Sequence, residues 1–210
     1  EQSLISFLIM SRYQNFSYLN LERWASYWYQ IKEVLKLNPK KILEIGVGNG
    51  TVCAYLKNAG KNVTSLDIDS TLSPDIVASV EKMPLADGEF DVVLCAEVLE
   101  HLPFEKFQTC LAESGRVSSR WAIVTLPHWG RHFALQFRLP GLGAFKFQKK
   151  LNLLPIEHVF NGQHYWEIGK KRYPLPKIKE QIESSGFIIR SDYVIFEMPY
   201  HHVFILEKKS

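Results

Sequence analysis

The run Glu44-Ile45-Gly46-Val47-Gly48-Asn49-Gly50, with Asp67 seventeen positions beyond Gly50, describes a site for a nucleoside. Glycines at alternate positions let the chain turn sharply and let a ligand lie against bare backbone. A helix opening directly behind such a loop aims its unpaired amides, and the positive end of its dipole, at that ligand. A carboxylate at the end of the next strand, Asp67, accepts hydrogen bonds from both hydroxyls of a ribose. The dinucleotide pattern needs a third glycine three positions after the second, to hold a diphosphate; this chain has Thr51 there. The spacing therefore favours adenosylmethionine over a nicotinamide dinucleotide.

Methyl transfer from a sulfonium is an in-line displacement, so alignment of the acceptor supplies much of the rate. A base is needed only where the acceptor must lose a proton. Glu97, Glu100 and His101 are spaced to share one face of a single helical turn. Two carboxylates and an imidazole suit Mg2+ or Mn2+, which would hold a catechol-like or vicinal-diol acceptor and lower its pKa. His164, within Gly162-Gln163-His164-Tyr165-Trp166-Glu167, is the candidate fourth ligand. Two other readings stand beside the metal: His101 packs or caps its turn, or His101 or His128 acts as general base without a metal.

The elements that must position these residues are legible from periodicity. Leu21, Trp24, Tyr27, Trp28, Ile31, Val34 and Leu35 recur at helical spacing over 17–37, and Asn38-Pro39 ends that helix. The Trp24, Tyr27 and Trp28 cluster reads as core. Short apolar runs at 41–45, 62–66, 74–79, 91–95 and 121–126 read as strands, with helices predicted over 51–59 and from Pro103 to about Val117. A helix at 175–185 and strands at 187–196 and 203–206 close the chain. Alternating strands and helices imply right-handed crossovers and a mainly parallel sheet. The short link at Met198-Pro199 makes the last strand antiparallel to its neighbour.

Glu44 to Gly50, Asp67, the run from Met83 to Val93 and Ala96-Glu97-Val98-Leu99-Glu100-His101-Leu102 resemble the successive motifs of small class I S-adenosylmethionine-dependent methyltransferases. They are similar to the broad group that includes ubiquinone and menaquinone biosynthesis enzymes. The likeness covers 41–117 well and the closing helix and strands loosely. It implies an α/β fold: a Rossmann-like, seven-stranded, mostly parallel sheet with helices on both faces and an antiparallel last strand. It implies that Glu44, Gly46, Gly48 and Gly50 hold the methionine end, that Asp67 holds the ribose, and that Cys95 and Ala96 flank the cofactor through backbone. Val80 would give its backbone amide to the adenine ring. The acid that the family often carries near the adenine amino group is replaced by Ser79, with Asp75 or Glu81 as substitutes.

The 210 residues fit one domain, an N-terminal helical section over 1–38 and an insertion over 128–172 included. The formal charge of +3 does not by itself argue for nucleic acid or membrane. No acid falls between Glu113 and Glu157, where Arg116, Arg120, Arg131, Arg138, Lys146, Lys149 and Lys150 interleave with Phe133, Leu135, Phe137, Leu139, Leu142, Phe145 and Phe147. Such a stretch suits a lid over the acceptor, peripheral contact of 131–150 with an anionic membrane, or simple core and solvated charge. Cys53, Cys95 and Cys110 read as free buried thiols of a reducing compartment. The apolar opening 1–10 begins with an acid and lacks a cleavage site, so a cytoplasmic location is expected. The expected activity is methyl transfer to a small-molecule, lipid-linked or saccharide-like acceptor at oxygen. A metal-assisted RNA ribose methyltransferase and a non-catalytic cofactor-binding regulatory module are the alternatives.

Overall fold

Helix α1 (Leu21–Lys36) starts where Asn20 accepts a 2.8 Å hydrogen bond from the Arg23 amide. That N-cap satisfies one orphan donor of the first turn. The helix stops at Leu37, followed by Asn38 in the left-handed region and Pro39. The computed structural model describes residues 19–209; the expected helix start at Ser17 and the part of the helical section over 1–38 up to Tyr18 lie outside them. Tyr27 and Val34 face the sheet, whereas Trp24 and Trp28 are exposed, 49% and 55%, so two of the three aromatics read as core lie outside it.

Strands β1 (Lys41–Ile45), β2 (Asn62–Asp67), β3 (Ile76–Val77), β4 (Phe90–Ala96) and β5 (Ser118–Pro127) alternate with helices α2 (Thr51–Asn58) and α3 (Phe107–Val117). Two more sheet strands, β8 (Phe187–Val194) and β9 (His201–Lys208), follow α4 (Leu175–Ser184). The order is β3-β2-β1-β4-β5-β9-β8, with β9 antiparallel to both neighbours and every other pairing parallel. Because side chains alternate, each central strand feeds two cores. Leu43, Ile45, Val93 and Cys95 pack on one face, and Ile42, Val92 and Leu94 on the other. All three cysteines are free and buried.

The turn after β4 is not the α-helical turn that the spacing predicts. Glu97 has φ +55° and only Leu99–His101 is helical, as a 3-10 turn, so Glu97 does not share a helical face with Glu100 and His101. The expected helix from Pro103 likewise begins as a 3-10 turn over Phe104–Lys106 before α3.

The insertion after β5 contains a regular element that its sequence reading lacked. Strands β6 (Arg131–Leu139) and β7 (Gly143–Leu151) form an antiparallel hairpin apart from the main sheet. Polar side chains tie it to the body: Gln148 Nε2 donates to the Val194 carbonyl at 2.5 Å, Lys150 Nζ to the His128 carbonyl at 2.5 Å, and Lys146 pairs with Glu197. Later in the insertion, Trp166 is fully buried against Phe104 and Phe107. Among the described residues no helix is long and apolar enough to cross a membrane.

Candidate active site

One cavity of about 810 Å³ runs from the β1–α2 loop to the turn after β4. It lies outside the carboxyl ends of the parallel strands, where open α/β sheets bind their ligands. At its first end the loop is shaped by Gly46, whose φ of +86° suits glycine. A β-carbon there would stand 2.3 Å from Val98 Cγ2. The Val47 amide donates to Asp67 Oδ2 at 2.8 Å and the Asp69 amide to Asp67 Oδ1 at 2.9 Å. Asp67 thus fastens the loop through Oδ2 and the turn after β2 through Oδ1, and each oxygen keeps a lone pair for a ligand.

Glu44 lines the same end, 4% exposed, with Oε2 lacking a hydrogen-bond partner among the described residues. Burial pushes its carboxyl up to about 8, against a weaker downward pull from the Cys53 thiol. An ammonium group beside Glu44 would favour the ionised form, so binding an amino-acid ligand near pH 7 should release a proton. Affinity should then fall as pH drops below about 8, by up to about tenfold per unit, and level off above it. Calorimetry in buffers of different ionisation enthalpy measures that proton; pH-independent affinity across the neutral range would dissociate Glu44 from the ligand.

The second end is crowded with titratable groups. Glu100 is fully buried and neither carboxylate oxygen has a partner among the described residues. Burial, and then the neighbouring Glu97, hold its carboxyl well above the usual carboxylate range. Ligand atoms of Glu100, His101 and His164 lie within 4.8 Å of one another. His101 Nδ1 is 2.9 Å from the Gln163 carbonyl. A carbonyl only accepts, so Nδ1 carries the proton and Nε2 keeps its lone pair. His164 Nδ1 faces Glu167 Oε1 at 3.2 Å. A carboxylate behind an imidazole orients the ring in the same way. Tyr200 donates to the same Glu167 oxygen at 2.7 Å.

A third histidine ties this end to α1. His201 Nε2 is 3.2 Å from Glu97 Oε2, and its Nδ1 is 2.8 Å from Ser26 Oγ. Burial lowers the pKa of His201, opposed by Glu97.

Residues 43–123 match the family described as "Methyltransferase domain". The match spans less than half of the chain, and the strand order and the cradle at β1 agree with it. These residues carry a methyltransferase domain of the class I, S-adenosylmethionine-dependent kind. A ubiquinone biosynthesis O-methyltransferase of Pseudomonas aeruginosa is 36% identical over 91 residues, 35% of this chain and 38% of that protein. The Hydrogenovibrio crunogenus enzyme of the same name is 30% identical over 88 residues, 35% of this chain and 36% of its own. The chain thus matches less than half of the length of these relatives. The fold of magnesium protoporphyrin IX methyltransferase from Synechocystis, solved with bound S-adenosylhomocysteine, superposes with a TM-score of 0.62 at 16% identity. That match covers 93% of this chain and 88% of the other. A Burkholderia thailandensis 1,6-didemethyltoxoflavin-N1-methyltransferase gives 0.54 at 13% identity over 82% and 72% of the two chains.

In this methyltransferase domain the cavity is lined by Glu44, Gly46, Gly48, Asp67, Val80, Ala96, Glu97, Glu100, His101 and His164 of the residues singled out from sequence. Three others lie elsewhere. Gly50 caps α2 at φ +73° and turns the chain rather than facing the cavity. Cys95 points into the core beneath β4. His128, read as a candidate base, is buried behind β5 with its Nδ1 2.9 Å from His202 Nδ1. It does not line the cavity, and burial and then His202 push its pKa down to about 3, which makes it a weak base.

Neither substitute for the adenine-side acid is placed to serve. Asp75 accepts from the Ser65 amide and hydroxyl and pairs with Lys57, and Glu81 pairs with Lys106. Asp69, which the sequence reading passed over, lines that part of the cavity with Ser79. Of the 128–172 insertion, Phe160, Gly162, Gln163, His164 and Tyr165 line the cavity, whereas no residue of the β6–β7 hairpin does.

Proposed function

We propose that the protein transfers a methyl group from adenosylmethionine to an oxygen of a small acceptor bearing neighbouring hydroxyls, with Glu100, His101 and His164 holding a divalent cation. The observation that carries this reading is the Glu100 carboxyl: fully buried, without a partner among the described residues, and set in the wall of a cavity shared with the cofactor cradle. A carboxyl in such a place is costly to ionise, and a bound cation would offset that cost. Two imidazoles beside it, with ligand atoms within 4.8 Å of one another and of the carboxylate, complete a donor set suited to Mg2+ or Mn2+.

The cradle fits adenosylmethionine on the same kind of evidence. Glu44 offers an unpartnered oxygen to an ammonium, Gly46 and Gly48 clear the backbone, and Asp67 keeps lone pairs for the ribose. When bound, the cofactor supplies an electrophilic methyl group and the cation lowers the pKa of an acceptor hydroxyl. The protein's own residues do the rest. Glu97, fixed by His201, and Tyr200 bound the space beside Glu100, while the Phe160–Tyr165 segment closes it from the insertion side. His101, with Nε2 as its proton-accepting atom, supports a second reading, in which it is the base and no cation takes part. The O-methyltransferase relatives support oxygen as the atom methylated.

The test is incubation with adenosylmethionine and matched acceptors, vicinal dihydroxy against monohydroxy, with manganese or with chelator. Product of one added methylene is expected only from the vicinal pair and only with the cation. Chelator-insensitive turnover would transfer the role to His101. Cofactor binding without turnover on any acceptor would favour a regulatory module.

A further inference from the structure

The β6–β7 hairpin has two unlike faces, and the apolar one is turned away from the protein. Strand pairing places Leu135 opposite Phe147 and Phe137 opposite Phe145, with Phe133 and Leu139 on the same side. Each is 43–56% exposed, and Leu142 at the turn is 71% exposed. The stacked Phe137–Phe145 pair, with ring centroids 5.3 Å apart, adds to a continuous aromatic surface. The opposite face carries Gln148, Lys146 and Lys150, the side chains that reach Val194, Glu197 and His128. A hairpin made only to pack on its own domain would be built the other way round, with its apolar side on the body.

We propose that this hairpin docks the protein on a membrane surface rich in anionic lipid. Charge decides for lipid over a second copy of the chain. Arg131 and Lys149 stand beside the apolar residues at the base of the same face and Arg138 near the tip, and no ion pair is formed by these three among the described residues. No acidic residue lies between Glu113 and Glu157. Two hairpins meeting face to face would therefore bring like charges together, whereas phosphate headgroups complement them. Strands of this length reach roughly 30 Å at the usual rise per residue. Both outer strand edges lack a partner strand among the described residues. The hairpin therefore lies along the headgroup boundary, where water satisfies its backbone, instead of crossing the bilayer. Because no hairpin residue lines the cavity, this surface stands independently of the methyl-transfer reading.

Co-sedimentation with vesicles tests it. The protein should pellet with phosphatidylcholine vesicles containing phosphatidylglycerol, and weakly with phosphatidylcholine alone. Half-molar salt should release part of it. The double variant Phe137→Ser/Phe145→Ser should partition at least about tenfold less well, and Arg131→Gln/Lys149→Gln should lose the preference for anionic vesicles. Both variants should keep the parent's thermal unfolding and adenosylhomocysteine affinity, since the changed side chains are exposed and outside the cavity. Absence of vesicle binding by the parent would overturn the proposal. So would a concentration-dependent dimer, seen by analytical ultracentrifugation and dispersed by the Phe double variant, since the occupant would then be a second copy.

Discussion

Replacing Gly46 with alanine is expected to lower the affinity for adenosylhomocysteine by at least about a hundredfold, which is roughly 2.7 kcal/mol. Two costs act together. The backbone at φ +86° lies where L side chains rarely settle, a strain of about 1–3 kcal/mol. The added β-carbon would also stand 2.3 Å from Val98 Cγ2, so either the loop or the 97–98 segment must move. Moving the loop displaces Val47, whose amide holds Asp67 in place. Moving the other side displaces Glu97 and, through His201, its tie to α1. Val98→Ala deletes the colliding methyl, so the Gly46→Ala/Val98→Ala protein should regain part of the lost affinity while keeping the backbone strain. Calorimetry on the two variants, with thermal unfolding as the check on folding, measures this. Parental affinity in Gly46→Ala alone would mean that a ligand is not seated on this loop.

Replacing Glu100 with methionine should move stability and turnover in opposite directions. In metal-stripped protein the carboxyl is buried without a partner among the described residues, and an apolar side chain of similar size removes that penalty. Removing an unsatisfied buried polar group in favour of a packed apolar one stabilises by about 1–3 kcal/mol where the fit is good. For a chain of this size that corresponds to a rise in melting temperature of roughly 2–4 °C per kcal/mol. The parent should be stabilised by manganese through mass action and the variant should not. Methyl transfer should fall by about a hundredfold or more, as when a group acting mainly on the transition state is lost. Thermal unfolding with chelator and with manganese reads the first two effects without an acceptor. A less stable variant would make Glu100 a structural residue, and an unchanged metal response would remove it from the ligand set.

What the sequence made legible follows the range of the interactions involved. The parallel strands were readable because both faces are buried, which leaves unbroken apolar runs such as Val92 to Cys95. The loop and Asp67 were readable because backbone geometry demands glycine at Gly46 and because a strand end fixes where its carboxylate stands. Spacing alone did not give the conformation of the 97–101 turn. It assumed α-helix, whereas Glu97 adopts a left-handed conformation that points it at His201 instead of aligning it with Glu100. Ser26, Tyr200 and His201 were missed because they join the site from opposite ends of the chain, by contacts 175 positions apart in the case of Ser26 and His201. The hairpin carried a clear signal, period-two alternation at Phe133, Leu135, Phe137 and Leu139. Its apolar side lacked any visible partner in the sequence, and only the register with β7 shows that this side is a single surface.

The most direct test of the assignment is calorimetric titration of adenosylhomocysteine into metal-stripped protein, run in parallel on Asp67→Ala. The parent should bind with a dissociation constant in the micromolar range or tighter. The variant should lose about 1–3 kcal/mol of binding free energy, the cost of charge-assisted hydrogen bonds removed. It lacks both the ribose-facing lone pairs and the carboxylate that fastens the Val47 and Asp69 amides. No heat from the parent, or equal affinity in the two proteins, would contradict the assignment of this cavity to adenosylmethionine.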